Sequence, residues 1–347
     1  MRRRRAAALV ITPLLAALAL AGCGSASSST GASATGAASA SATGAASATG
    51  AASATASASA SSTADTYTSV TASGAFGKAP TVTIPAETGS GPLYTKTLIQ
   101  GTGPTLTTAQ SLLGDFVLYD WSGTTHKLLG STYSEGIPTL FAGELLPGLS
   151  KALIGQKVGS RVLAVIPPAD AFGASGNSEI GVGATDTVVF VVDMVKSFSN
   201  TAGATGKQTY SGGGTLPTVT AGAAGKSPTI TIPKNAAPKA LVVKDLIKGT
   251  GPKVTKGQFL VVQYTGMIWR TKKVFDSSWT RGEPFGTPIG KGQVISGWDT
   301  GLVGQTVGSR VMLVIPAADG YGKTGSSSVG INGTDTLVFV VDIVSAS

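Results

Sequence analysis

The sequence predicts an α+β architecture, and predicts it twice within one chain of 347 residues. The first observation is internal repetition. Gly77-Lys78-Ala79-Pro80-Thr81-Val82-Thr83-Ile84-Pro85 reappears 148 residues later as Gly225-Lys226-Ser227-Pro228-Thr229-Ile230-Thr231-Ile232-Pro233, and Leu98 to Pro104 reappears at the same offset as Leu246 to Pro252. Val158-Gly159-Ser160-Arg161 and Thr185-Asp186-Thr187 return 149 residues on, as Val307-Gly308-Ser309-Arg310 and Thr334-Asp335-Thr336. A period this long marks a duplicated domain rather than a solenoid, and about 125 residues per copy suffice for one core. The second observation is strand chemistry. Leu241 to Lys248, Gln258 to Trp269, Ser309 to Ile315 and Thr336 to Val344 are rich in β-branched and aromatic residues. In the last, Leu337, Phe339, Val341 and Ile343 share one face and Asp342 lies on the other. The third is the scarcity of helix: only the short piece from Gly297 to Val303 reads as one. Together these predict an antiparallel sheet in each copy, packed on one face against a brief helix.

Taken in order, the chain begins with Arg2 to Arg5, an apolar run from Ala6 to Leu20, and Leu20-Ala21-Gly22-Cys23. A basic start, a short apolar core and small residues describe an export signal over residues 1–22. The last four residues resemble the lipobox of bacterial lipoproteins. That resemblance implies Cys23 as the lipid-modified new N-terminus of an extracytoplasmic protein anchored in a bacterial cell membrane. A signal-anchor helix with a buried cysteine is the blander alternative, but the run is short for a ~30 Å hydrocarbon core. Residues 23–75 are then expected to be a disordered Ala/Ser/Thr/Gly tether, with a reach on the order of 40 Å. Residues 76–199 form the first copy, 200–222 a soft linker containing Gly212-Gly213-Gly214, and 223–347 the second copy.

Composition excludes several kinds of chemistry. One Cys forbids an internal disulfide and a Cys-cluster metal site, and one His forbids a multi-His zinc site. No metal or cofactor is expected. Nucleophilic catalysis with a histidine base could use only His126, which beside Lys127 reads as exposed and idle. The formal charge of +9 includes Arg2 to Arg5, and loss of those four residues leaves +5. No basic cluster interleaved with aromatics follows, so nucleic acid is not an expected partner. Residues 76–199 hold 7 basic and 9 acidic residues, a net of −2, whereas residues 223–347 hold 14 and 7, a net of +7. This contrast is either drift in surface charge or an attraction of the second copy to acidic polymer, anionic lipid or the first copy. Gly101-Thr102-Gly103 and its repeat precede proline and open no helix, so they read as turns rather than phosphate loops.

The second copy carries further motifs. Val261-Val262-Gln263-Tyr264-Thr265-Gly266-Met267 is followed by Phe275-Asp276-Ser277-Ser278 and by Gly290-Lys291-Gly292-Gln293-Val294-Ile295-Ser296-Gly297-Trp298-Asp299. Val307 to Arg310, Gly320-Tyr321-Gly322 and Thr336-Leu337-Val338-Phe339 come next. In this order and spacing they resemble the FK506-binding-protein (FKBP) family of peptidyl-prolyl cis–trans isomerases, from about Lys239 to Val344. The resemblance implies two tandem FKBP-like domains, each a curved antiparallel sheet wrapped around one short helix. It also implies an isomerase assisting the folding of exported proteins, with proline-containing polypeptides as substrates and macrolides of the FK506 or rapamycin kind as ligands. By the same resemblance a proline box is formed by Tyr264, Phe275, Phe285, Val294, Ile295, Trp298 and Phe339, with Trp298 as its floor and Ile331 on its rim. The Ile295 N–H and the Tyr321 hydroxyl would bond substrate carbonyls, and Asp276, oriented by Arg281, would face the twisting amide. Each residue also has a plainer reading, as core aromatic, turn acid, solvated charge or loop aromatic. Gln293 and Ser326 stand where Glu and His are common in the family, which puts substrate preference in question.

The first copy reads as a degenerate version. Tyr119 is taken to match Tyr264, and Phe190 to match Phe339. Phe275-Asp276 becomes Leu129-Gly130, Arg281 becomes Glu135, Trp298 becomes Leu149 and Tyr321 becomes Phe172. A three-residue deletion near Pro138 is expected to remove the counterpart of Phe285. Catalysis is therefore assigned to the second copy. The alternatives are a non-catalytic holdase or adaptor using both grooves to bind polypeptides, and a surface structural protein reusing the fold. Isomerisation of an X-Pro bond needs neither nucleophile nor metal, because its barrier of ~18–20 kcal/mol is amide resonance.

Overall fold

The computed structural model describes residues 65–223 and 225–347, so the expected leader, the Cys23 lipidation site and most of the tether lie outside the described residues. Each copy builds one antiparallel sheet. In the first, the strands run Tyr94–Ile99, Arg161–Ile166, Thr187–Ser199, Gln110–Ser122 and Thr125–Ser131 across the sheet, and Thr139–Phe141 also pairs with Gln110–Ser122. In the second the order is Lys207–Gln208, Val242–Lys248, Arg310–Ile315, Leu337–Ala346, Phe259–Ile268 and Lys273–Ser277, with Phe285–Pro288 on the far part of Phe259–Ile268.

A short helix, Pro147–Leu153 or Ser296–Leu302, lies on the inner face of each sheet. Ser296–Leu302 lies close to its sheet because Gly297 and Gly301, one turn apart, carry no side chain. A Cβ at Gly297 would stand 2.6 Å from Ile315 Cγ2, and one at Gly301 would stand 2.6 Å from Leu313 Cδ2. Trp298 and Leu302, also one turn apart, point into the core with Leu260, Val262, Leu313, Phe339 and Val341.

The outer faces are covered as well, and here the structure corrects two expectations. Residues 65–75, placed in the tether, fold onto the first sheet. Tyr67 and Val70 are 1% and 2% exposed, and Thr71–Ser73 pairs with Thr81–Thr83. They cover Val117, Trp121, Leu163, Val165, Val189 and Val191. Residues 200–222, expected to be a soft linker, are equally built in. Lys207–Gln208 adds an edge strand, and Gly212–Gly213, Leu216–Thr220 and Thr229–Thr231 form a small sheet. Leu216, Val219, Ile230 and Ile232 then lie over Met267, Trp269, Met312, Val314, Val338 and Val340. A sheet with apolar residues on both faces requires two covers, and these segments supply the second.

The repeated Val-Gly-Ser-Arg fastens the covers. Arg161 and Asp193 are both fully buried, joined by Nε–Oδ1 at 2.6 Å and by a second bond to Oδ2 at 2.7 Å. Arg161 also donates to the carbonyls of Gly74 and Lys78, while Asp193 accepts from the Gly77 N–H and the Tyr133 hydroxyl. In the second copy Arg310 grips Asp342 in the same two-pronged way, and Asp342 accepts from the Ala204 N–H. A buried pair so fully bonded tolerates its desolvation, but loss of one partner costs about 3–5 kcal/mol.

Candidate active site

Alternation along Phe259–Ile268 sends Tyr264 to the inner face, where its ring meets three others. The centroids of Phe285, Trp298 and Phe339 lie 5.8, 5.3 and 6.1 Å from it. Trp298 also stands edge-on to Phe339 at 5.3 Å, and Phe275 to Phe339 at 5.5 Å. Edge-to-face pairs at such distances are the preferred aromatic geometry. Tyr264, Trp298 and Phe339 are buried, while Phe275, Phe285, Val294 and Ile295 are partly open and bound the mouth. Ile331, expected on the rim, is buried among the same residues, 3% exposed. The Trp298 indole N–H is buried with no hydrogen-bond partner among the described residues.

Polar groups gather on one side of this box. The Tyr264 hydroxyl donates to Asp276 Oδ2, Arg281 Nη1 donates to Asp276 Oδ1, and Arg281 Nη2 donates to the Tyr264 hydroxyl at 3.0 Å. Burial, reinforced by the bond to Asp276, pushes the Tyr264 phenol well above its ordinary value. Burial works against the Arg281 charge, but the bonds to Tyr264 and Asp276 outweigh it and raise its pKa. Tyr321 is 38% exposed, and its phenol is raised by burial and by the charge of Asp276. Neither its hydroxyl nor the Ile295 N–H, at the N-terminal boundary of Ser296–Leu302, bonds to protein among the described residues. The expected site residues are thus brought together, with two donors left free at the opening.

Three supporting residues were not singled out from the sequence. Gly266 makes room for the rings: a Cβ there would lie 2.7 Å from Phe275 Cζ and 2.8 Å from Phe339 Cε1. The Ser278 hydroxyl accepts the Tyr264 N–H at 2.8 Å, fixing the strand that carries the tyrosine. Asp299 accepts the N–H groups of Gly290 at 2.6 Å and Gly292 at 2.7 Å, holding the loop that leads to Val294 and Ile295. An acid seven and nine residues after the glycines of a Gly-rich loop was the available signal.

The first copy corrects two expected correspondences. Thr132 Oγ1 accepts the Phe116 N–H at 2.8 Å, as Ser278 does for Tyr264, and Phe116 lies 6.0 Å from Phe190. Phe116, not Tyr119, therefore occupies the place of Tyr264. Tyr119 points to the outer face, and its ring meets exposed His126 at 6.3 Å. Nor is the counterpart of Phe285 deleted. Thr139 pairs with Gly114 as Phe285 pairs with Val262, so threonine replaces the ring. The three-residue deletion falls later, between Phe141 and Gly143, in the loop that Asp299 organises in the second copy. Leu118 stands in place of Gly266 and is fully buried, and Phe172 is 8% exposed where Tyr321 is 38%. The first box is filled from within.

Comparison with known proteins assigns both copies to one family. The model of the FKBP-type peptidyl-prolyl cis-trans isomerase family matches residues 108–195 and again 251–344, together more than half the chain. The chain belongs to the FKBP-type peptidyl-prolyl cis-trans isomerase family. It is 42% identical over 119 residues to an FK506-binding protein of Streptomyces anulatus, covering 34% of this chain and 96% of that protein. It is 39% identical over 121 residues to a probable FK506-binding protein of Corynebacterium glutamicum, covering 35% of this chain and 99% of that one. The crystal structure of AtFKBP13 is 33% identical over 32% of this chain and 96% of its own, with a TM-score of 0.30. Each of these relatives spans about a third of the present chain, which carries the FKBP fold in tandem.

Proposed function

We propose that the second copy catalyses cis–trans isomerisation of X-Pro bonds and that the first copy does not. One contrast carries this reading. The second copy sets the hydroxyls of Tyr264 and Tyr321, the carboxylate of Asp276 and the guanidinium of Arg281 beside an aromatic box. The first copy has Phe116, Phe172, Gly130 and Glu135 at those places.

The reaction makes and breaks no σ bond; it rotates the C–N bond of the amide. Twisting the amide removes its resonance and lowers its charge separation, so a water-poor apolar box favours the twisted form over the planar one. The proline ring would sit against Trp298, Phe339 and Tyr264. The free Ile295 N–H and Tyr321 hydroxyl would hold flanking carbonyls, and Asp276, fixed by two donors, would face the rotating amide. In a refolding assay limited by proline isomerisation, the full chain is expected to accelerate the slow phase. The variant Tyr264→Phe/Asp276→Gly/Arg281→Glu/Tyr321→Phe, which writes the first copy's residues into the second, is expected to return it to the uncatalysed rate. Suppression of aggregation without acceleration by the wild type would overturn the reading in favour of a non-catalytic holdase. Competition by an FK506-like macrolide, suggested by the names of the relatives, is expected to abolish the acceleration.

The N-terminal sequence supports a further proposal: export, lipidation of Cys23, and action on exported polypeptides at a bacterial cell membrane. Cys23→Ser is expected to abolish incorporation of labelled fatty acid and to release the protein from membranes. Absence of label on the wild type would refute it.

A further inference from the structure

The outer face of the second sheet is covered by two different neighbours. Met267 and Trp269 lie beneath the second copy's own cover, while Phe259 and Val261, on the same face, lie beneath the first copy. Phe259 and Val261 form one buried cluster with Leu113 and Phe198, flanked by Ile137, Leu140 and Val344. Lys196 Nζ bonds Ser345 Oγ at 3.2 Å, and Gln263 Nε2 donates to the Asn200 carbonyl at 2.8 Å.

Equivalent positions meet across this contact. Leu113 and Val261 correspond in the duplication, as do Lys196 and Ser345, which are 149 residues apart. In the first sheet Leu113 pairs with Leu140, in the second Val261 pairs with Gly286, and these two pairs face each other. The copies therefore pack about a pseudo-two-fold axis, as an isologous dimer would. The symmetry is broken at its centre. A Cβ at Gly286 would stand 2.9 Å from Leu140 Cβ and 2.7 Å from Phe259 Cζ. Leucine on one side fits only because the other side has no side chain.

That central strand is part of the site. Gly286 follows Phe285, a wall of the box, and Glu283 lies two residues before Phe285 and two after Arg281. The Glu283 carboxylate packs against Gly143 of the first copy, where a Cβ would come within 2.5 Å of Oε2. Burial raises the Glu283 pKa, with Arg281 opposing. Residues 283–288 are thus held between the aromatic box and the first copy.

We infer that the first copy is a positioning element for the second copy's site, with Leu140 and Gly143 fixing the rim 283–288 and hence the place of Phe285. The chemistry assigned to that site rests on the function proposed above; the mechanical coupling does not. A half-open pocket of about 230 Å³ borders the same contact, lined by Leu113, Ile137 and Val195 of the first copy and Gly257, Phe259 and Ser347 of the second. The test uses the full chain with Leu140→Ser, and with Leu140→Ala should the first fail to fold. Amide hydrogen exchange at Glu283, Phe285, Gly286 and Thr287, the non-proline residues of 283–288, is expected to speed up about tenfold while Arg310–Ile315 stays protected. KM for an X-Pro substrate is expected to rise roughly fivefold, with kcat changed less. Leu140→Met should retain both properties, and Leu128→Ser, on an exposed first-copy residue, should leave both unchanged. Unchanged exchange at 283–288 in the Leu140 variants would overturn the inference. A wild type without isomerase activity would refute the proposed function instead, and the exchange measurement would still decide the coupling.

Discussion

Asp120 offers a quantitative test of the electrostatics of the first copy. Its carboxyl is 8% exposed, and Oδ1 is buried with no hydrogen-bond partner among the described residues. Burial, then the neighbouring charge of Asp186, pushes its pKa from 3.8 to about 6, with Lys127 on the adjacent strand opposing. In the second copy the same places hold Ile268 and Asp335, and Asp335 is neutralised by Arg270 at 2.7 and 2.9 Å. The folded state therefore prefers protonated Asp120. Its penalty is absent below pH 4, grows as pH rises towards 6, and is fully present above 6. A shift of about two units at 1.36 kcal/mol each, the opposition of Lys127 already included, sets an upper bound of about 3 kcal/mol, and screening by water reduces this to about 1–2 kcal/mol. Asp120→Asn should stabilise the first copy by that amount at pH 7.5 and by almost nothing at pH 4, read from urea unfolding of the full chain. An equal gain at both pH values, or no gain at pH 7.5, would refute the reasoning.

Other perturbations bear on the site. Tyr264→Phe removes a donor to Asp276 and an acceptor for Arg281 while keeping the ring; kcat/KM should fall about tenfold, some 1.4 kcal/mol, with little change in thermal unfolding. Trp298→Phe loses packing but also removes an orphan buried donor worth about 1–3 kcal/mol. Its unfolding free energy should therefore stay within about 1.5 kcal/mol of wild type while kcat/KM drops several-fold. Because the Tyr264 and Tyr321 phenols lie above their ordinary value of 10.0, the rate on a peptide substrate should stay level from pH 7 to 10. Stability should decline only above pH 10, where unfolded tyrosines ionise first; a rate loss centred below 10 would contradict this.

The fold and most of the box were legible because their signals are local. The repeat, the strand runs and the clustered motifs each survive without three-dimensional information. The register of the first copy was misread because an identical residue, Tyr119, lay near the expected place. Trp121 and Trp269, 148 residues apart, set the true register and put Phe116 opposite Tyr264. The covers were missed for a compositional reason. Residues 200–222 are rich in Gly, Ser and Thr, and their few anchors, Leu216 and Val219, are sparse. Yet the sequence held the complementary sign. Val338 and Val340 interleave with Leu337, Phe339 and Val341, so both faces of that strand are apolar and each needs a partner. Gly266 and Gly286 were silent for the opposite reason. Their role is the space they leave, which only the neighbouring rings and Leu140 reveal.

The Arg161–Asp193 clasp also determines how the molecule bears load. A force applied at residue 65 first meets the Thr66 bond to the Ser90 carbonyl and the buried Tyr67 and Val70, and only then the pairing of Thr71–Ser73 with Thr81–Thr83. It then reaches the carbonyls of Gly74 and Lys78, which are gripped by a guanidinium deep in the first sheet. Tension from the N-terminal side is thereby grounded in the copy that lacks the polar constellation, and Phe275, Asp276 and Trp298 are spared the strain.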